Sequence, residues 1–389
     1  MSCSTGTTTD TLYVRNTLYV DCIEPYMNNG KVKISNFECL TLDSNHVVVG
    51  CGAGGSLGTG NTAVGVNALS VATGGNNTVV GNSSGNSIVS GENNTLIGSN
   101  TGKSLTSGTN NTVSGAGAGF SLTTGIGNTI TGNGSGFSLL TGGNNVLLGI
   151  GAGYLLETGS ENVIIGSDAG NNGTNLQECV LVGTRAGSAL TTGANNTMIG
   201  FESGTLMTTG YANTLLGSRS GTSMTTGFGN TAVGGGAGFS LTSGADNVIN
   251  GAGTGYNLTT GSANVLIGTN VGFDVSTGSN NVMLGTNTGD NSSSDLEGCV
   301  LIGKEAGQNN TTNNRLMIDN SNTDEPLIDG DFSGDTLQFN ATTQIGKNGD
   351  ATVHRINTPA VALSSDPATT ALQISLNGTT YKLHLFPNT

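Results

Sequence analysis

Tryptophan is absent from this chain, and histidine occurs only as His46, His354 and His384. Three histidines in unrelated segments supply no metal-ligand set and no Ser-His-Asp constellation. Proline is scarce, at 5 of 389 residues, so little interrupts a continuous stack of backbone. Charged residues make up 9%, and 11 Lys and Arg face 25 Asp and Glu. A formal charge of −14 with no basic patch disfavours nucleic acid and anionic membrane surfaces as partners. No apolar run reaches membrane-spanning length, and the opening MSCSTGTTTDTLYV has neither the basic nor the apolar part of a secretory signal. Cys3, Cys22, Cys39, Cys51, Cys179 and Cys299 are widely spaced with no CxxC pair, a pattern that points to free thiols rather than a disulfide framework.

What is abundant is glycine, at 66 residues, and it is phased. Gly81, Gly98, Gly115, Gly132, Gly149, Gly166, Gly183, Gly200, Gly217, Gly234, Gly251, Gly268 and Gly285 are each 17 residues apart. Shorter steps extend the series back to Gly65 and Gly50, and a step of 18 extends it to Gly303. A fixed period of this kind means one small unit stacked on copies of itself, a solenoid. The phased apolar columns rule out a flexible glycine linker.

Position −2 relative to each anchor glycine from Gly65 to Gly303 is always apolar, with Leu96, Leu147, Ile164, Leu181, Leu215, Leu266 and Leu301 as the predicted core. Position −1 is mostly apolar too, the exceptions being Ser114, Thr131 and Asn250, and position −3 is usually Thr or Val. Short β-branched runs bounded by Gly and Asn read as strands. Seven residues after the anchor lies a second apolar column, Leu57, Leu105, Leu122, Leu139 and Leu156 among others, often preceded by two by an aromatic such as Phe120, Phe137, Tyr154, Phe239 or Tyr256. Period-2 spacing predicts a second short strand with the aromatic and the Leu on one face. Each coil is then two strands joined by two glycine turns.

Position −4 is a column of asparagines: Asn61, Asn77, Asn94, Asn111, Asn128, Asn145, Asn162, Asn196, Asn213, Asn230, Asn247, Asn264 and Asn281. Stacked carboxamides can hydrogen-bond from coil to coil as a ladder. Cys179 and Cys299 take this place in LQECVLVG and LEGCVLIG, where the usual turn is lost, and read as structural variations of the coil. Because both faces of the first strand are largely apolar and a thin coil has room for only one, the other face predicts self-association.

Three domains are expected. Residues 1–43, with TLYVRN and TLYVDC nearly duplicated, form an N-terminal β collar or attachment segment; 44–307 form the solenoid; 308–389 form a small C-terminal β domain. In the last, Leu372, Ile374 and Leu376 alternate into Asn377-Gly378, and Tyr381, Leu383 and Leu385 alternate back, which predicts a hairpin. Stacked near-identical coils choose their alignment poorly, so this non-repetitive end is expected to fix the register between chains.

Chemistry is sparse. GxGxxG-like strings open no helix, so no cofactor is expected. Asp329, Asp331 and Asp335 are weak calcium candidates whose spacing is not that of an EF-hand and reads as a solvated acidic turn. Glu92, Glu157, Asp168 and Glu202 are single acids rather than the close pair a glycosidase needs.

The Asn-Thr-x-x-Gly and Leu-Thr-Thr-Gly pattern over 44–307 resembles the head repeats of YadA-type trimeric adhesins and related repeats in phage and large-virus fibres. That resemblance implies an all-β fold: a parallel left-handed β-roll with three parallel chains around one axis, its coil here longer than the typical adhesin coil. The segment RLMIDNSNTDEPLIDGDFSGDTLQFN looks like the stretch following such repeats in many fibre proteins. A chaperone peptidase often comes next there, but no Ser-Lys motif is evident, so that activity is not carried over. The expected function is a non-enzymatic homotrimeric fibre on a virion or other surface. Its partners would be its own copies, other virion proteins, and a host glycan or receptor. An ice-binding solenoid, from the Thr columns, and a tailspike-type glycan hydrolase are the alternatives.

Overall fold

The computed structural model describes residues 45–54 and 58–340 in full, and the strand backbone of Leu40–Leu42, Thr343–Gln344, Arg355–Ile356, Leu363–Ser365, Ala371–Leu376 and Thr379–His384. Leu57 and the remainder of 1–43 and 341–389 lie outside the described residues.

The chain is a parallel β-solenoid. Each coil contributes one short strand, such as Thr129–Thr131, Val146–Leu148 or Val163–Ile165, hydrogen-bonded in register to the same positions of the coils above and below. The main sheet has 20 strands, and all but the first and the last two are parallel. At the usual strand spacing the parallel stack is roughly 75 Å long.

Glycine ends each strand for a steric reason. Gly132 has φ +136, and a Cβ built there would lie 2.2 Å from the Gly149 carbonyl oxygen of the next coil. That oxygen is backbone and cannot give way, so only glycine permits coils to stack this closely.

The interior of each coil is filled from three columns. Position −2 (Leu147, Ile164), the small residue at +3 (Ala152, Ala169) and the apolar residue at +7 (Leu139, Leu156) are all fully buried. The +3 column of Ala, Ser and Thr, with Val271 as its one larger member, is a core component not expected from its chemistry. Neighbouring coils stack these side chains into one continuous core.

The expected second strand is not regular β-structure. Around the +7 column the backbone turns, because the residue at +2 and the glycine at +4 both take positive φ, as Asp168 (φ 54) and Gly170 (φ 54) do. No extended run survives that, so period-2 alternation does not apply. Leu122 is buried while Phe120 is half-exposed, and the two do not share a face. Coil-to-coil bonding continues regardless, as in Ser121 N–H to the Phe137 carbonyl at 3.0 Å. A second strand does form in two successive coils, beyond the +7 column, where Asn175–Gln177 pairs in parallel with Thr192–Ala194.

At the C-terminal end the parallel ladder runs one rung past residue 307. Arg315–Ile318 pairs in parallel with Val300–Ile302, and Ile328–Asp331 and Thr336–Phe339 then add antiparallel. At the other end Leu40–Leu42 lies antiparallel on His46–Val49. Further on, Ala371–Leu376 and Thr379–His384 pair antiparallel with Leu376 opposite Thr379.

Candidate functional site

The asparagine column lies inside the coil wall. Asn94 Nδ2 donates to Asn77 Oδ1 at 3.0 Å and to the Gly108 carbonyl at 2.9 Å, while its backbone N–H donates to the same Asn77 oxygen at 3.0 Å. The pattern repeats through Asn162, resumes at Asn196 and continues to Asn281. At each break a cysteine accepts the role in part. The Cys179 N–H donates to Asn162 Oδ1 and the Cys299 N–H to Asn281 Oδ1, both at 3.0 Å. Both thiols are free, and burial pushes each pKa up. The residue just before each ladder position takes positive φ, as Asn93 (φ 57), Asn110 (φ 59) and Asn144 (φ 57) do. The recurrent Asn-Asn pair therefore has two jobs, a left-handed corner and then a ladder rung, and the doubling was the readable signal.

Cys51 departs from the expectation of free thiols, since it is disulfide-bonded. Wide spacing along the chain does not measure distance in space. The antiparallel pairing of Leu40 with Val49 folds the preceding strand back alongside this segment.

The outer face of the sheet is a distinctive surface. Positions −3 and −1 point away from the core, and Leu148 is 45% exposed and Ile267 39%. From Thr62 to Ile302 neither column contains a charged residue. The strip continues onto the end strands. Val300 and Ile302 pair with Leu316 and Ile318, which pair with Gly330 and Ile328, which pair with Leu337 and Phe339. Leu337 and Phe339 are about half exposed.

A second face carries the +1, +2 and +5 columns. Phe120, Phe137 and Tyr154 stack ring on ring, with centroids 4.9 and 5.1 Å apart, and Phe239, Tyr256 and Phe273 repeat the arrangement seven coils later. Beside the first triad, Gly117 and Gly134 leave a groove of about 330 Å³ lined also by Ser99, Asn100, Ala116 and Asn133. Between the triads, Glu202 is held by Arg185 and by Arg219 Nε at 3.0 Å. The Phe201 ring sits between the two guanidinium groups at 5.6 and 5.9 Å. Glu202 is thus committed to two cations rather than paired with another acid.

The acidic end segment does not converge on one point. Asp329 forms an ion pair with Arg315, while Asp331 accepts from the Ser333 N–H at 2.8 Å and from the Ser333 hydroxyl, closing a local turn. The Ser333 hydroxyl holds the Asp331 carboxyl below its usual range. Asp335 is exposed with φ 50. Among the described residues no three of His, Cys, Asp and Glu gather as a metal group, and no helix is long and apolar enough to cross a membrane.

Comparison with protein-family models, with curated proteins and with solved structures found no match to this chain.

Proposed function

We propose that the protein is a non-enzymatic structural fibre module whose copies associate side by side, in parallel, through the outer face of the sheet. The observation that carries this reading is the strip of Val, Ile, Leu and Thr, free of charge over the whole solenoid and continuous onto the C-terminal strands. In a chain of formal charge −14, a face kept this clear of carboxylates is a face reserved for contact. The partner that fits it is a second copy. A ridged surface roughly 75 Å long, repeating at one strand spacing, is matched along its whole length only by a surface with the same repeat. The number three and the left-handed coil come from the resemblance of the repeat to trimeric adhesin heads and virion or phage fibres. In that assembly the second face, with its aromatic triads and the Arg185–Glu202–Arg219 cluster, stays outward for a host glycan or receptor.

Native mass spectrometry tests the assembly. The expected species is three times the 38.7 kDa chain. A stable monomer at micromolar concentration would sink the proposal.

A further inference from the structure

The −1 column of the outer strip is interrupted at three places, beside a −3 column that is Thr or Val throughout. Ser114, Thr131 and Asn250 stand at position −1, at the ends of Thr112–Ser114, Thr129–Thr131 and Val248–Asn250, where the neighbouring coils carry Ile97, Leu148, Val233 and Ile267. Asn250 is exposed and the other two are half-buried. Among the described residues none hydrogen-bonds to these three side chains. Their partners, if the strip is covered, must come from the covering chain.

Resting on the self-association proposed above, we infer that these three residues are the register code between copies. With two parallel copies level, each polar side chain lies at the height of its own counterpart and the groups can satisfy one another. Shifted by one coil, Asn250 lies level with Val233 or Ile267 and loses its matching carboxamide, and on the Ile267 rung the −3 residue, Val265, is hydrocarbon as well. An unmatched buried amide is disfavoured far more strongly than a matched pair, the logic by which a polar core residue sets alignment in coiled coils.

The positions also make the code unambiguous. Counted along the stack, Thr131 is one coil after Ser114, and Asn250 is seven coils after Thr131 and eight after Ser114. The three separations are all different. Within the −1 column, any shift other than zero therefore superposes at most one polar pair and leaves the others unmatched. A regular spacing would have allowed a second good alignment. Near-identical coils need such a device, because the rest of the −1 column is Val, Ile or Leu at every rung.

Cross-linking reads register directly. Two full-length chains are made, one with Ile267→Cys and one with Leu284→Cys, which sit at position −1 in adjacent coils. They are distinguished by isotope labelling, mixed during folding and oxidised, and the unsubstituted chain with its six native cysteines is the control. Like-with-like links should exceed mixed links by roughly tenfold or more, the scale set by one stranded amide. With Ser114→Val, Thr131→Val and Asn250→Val together, mixed links should rise to a comparable level. Asn250→Ser alone, which keeps a polar group, should preserve the bias. Circular dichroism confirms that each variant folds. Like-with-like links persisting in the triple variant would overturn the inference, as would mixed links already abundant in the parent. If neither cysteine cross-links although the oligomer persists, the strip is not the interface, and the self-association reading falls with the code.

Discussion

The Asn128 side-chain nitrogen donates to the Asn111 side-chain oxygen at 3.0 Å and to the Gly142 carbonyl at 2.9 Å, so one residue ties three coils together. Its own oxygen accepts from the Asn145 N–H and side-chain nitrogen at 3.1 and 3.0 Å. Asn128→Ala leaves several of these groups buried without partners, and a loss of about 3 kcal/mol is expected from chemical unfolding. Asn144→Gly, at the adjacent left-handed corner, should be nearly neutral because glycine adopts that φ freely.

Cys179→Asn should stabilise the protein. The site lies between Asn162 and Asn196, and its thiol already reaches toward the Gly193 carbonyl at 3.6 Å, the place a ladder amide occupies in other coils. A gain of about 1 kcal/mol, read as a higher midpoint, is the expected outcome. A loss would mean that the coil around Asn175–Gln177 needs the smaller side chain.

Two glycines separate steric need from composition. Gly132→Ala should prevent folding, since its Cβ meets the Gly149 carbonyl at 2.2 Å. At Gly235 a Cβ meets nothing within 4 Å, so Gly235→Ala should be neutral or slightly stabilising in thermal melts.

Leu147→Asp or Leu266→Asp should abolish soluble folded protein, because each side chain is fully buried and a charge there has no partner. Thr124→Ser and Thr192→Ser, on the exposed surface, should be almost silent. Equal damage at both pairs, measured by yield and circular dichroism, would refute the assigned coil register.

Alkaline pH should weaken the fold through its buried thiols. Burial raises the pKa of Cys179 and Cys299 above the ordinary 9.0, so the unfolded chain loses those protons first. Stability from this source is complete below pH 9.0 and declines as pH rises above it. Denaturant midpoints compared across that range should fall, and the Cys179→Ser, Cys299→Ser variant should fall less.

The glycine clock and the position −2 column made the solenoid legible, since stacking identical coils forces identical burial at identical positions. The apolar outer strip was legible for the same reason at position −1. The second strand was misread because alternation carries no information where positive φ at residues such as Asp168 and Gly170 bends the backbone. The extension of the strip onto Leu337 and Phe339 had no periodic signal at all. It depends on antiparallel pairing of Ile328–Asp331 and Thr336–Phe339, which a repeat count cannot see.

Those reversed strands at the two ends have one more consequence. A parallel stack whose last rung is bare is a template for endless growth, rung upon rung. Here Leu40–Leu42 covers the first rung in the opposite sense, and Ile328–Asp331 covers the last. The length of the parallel stack between them is set by the number of coils in the sequence. Adding or deleting one coil should change it by a single quantum of about 4.8 Å, making the protein a ruler.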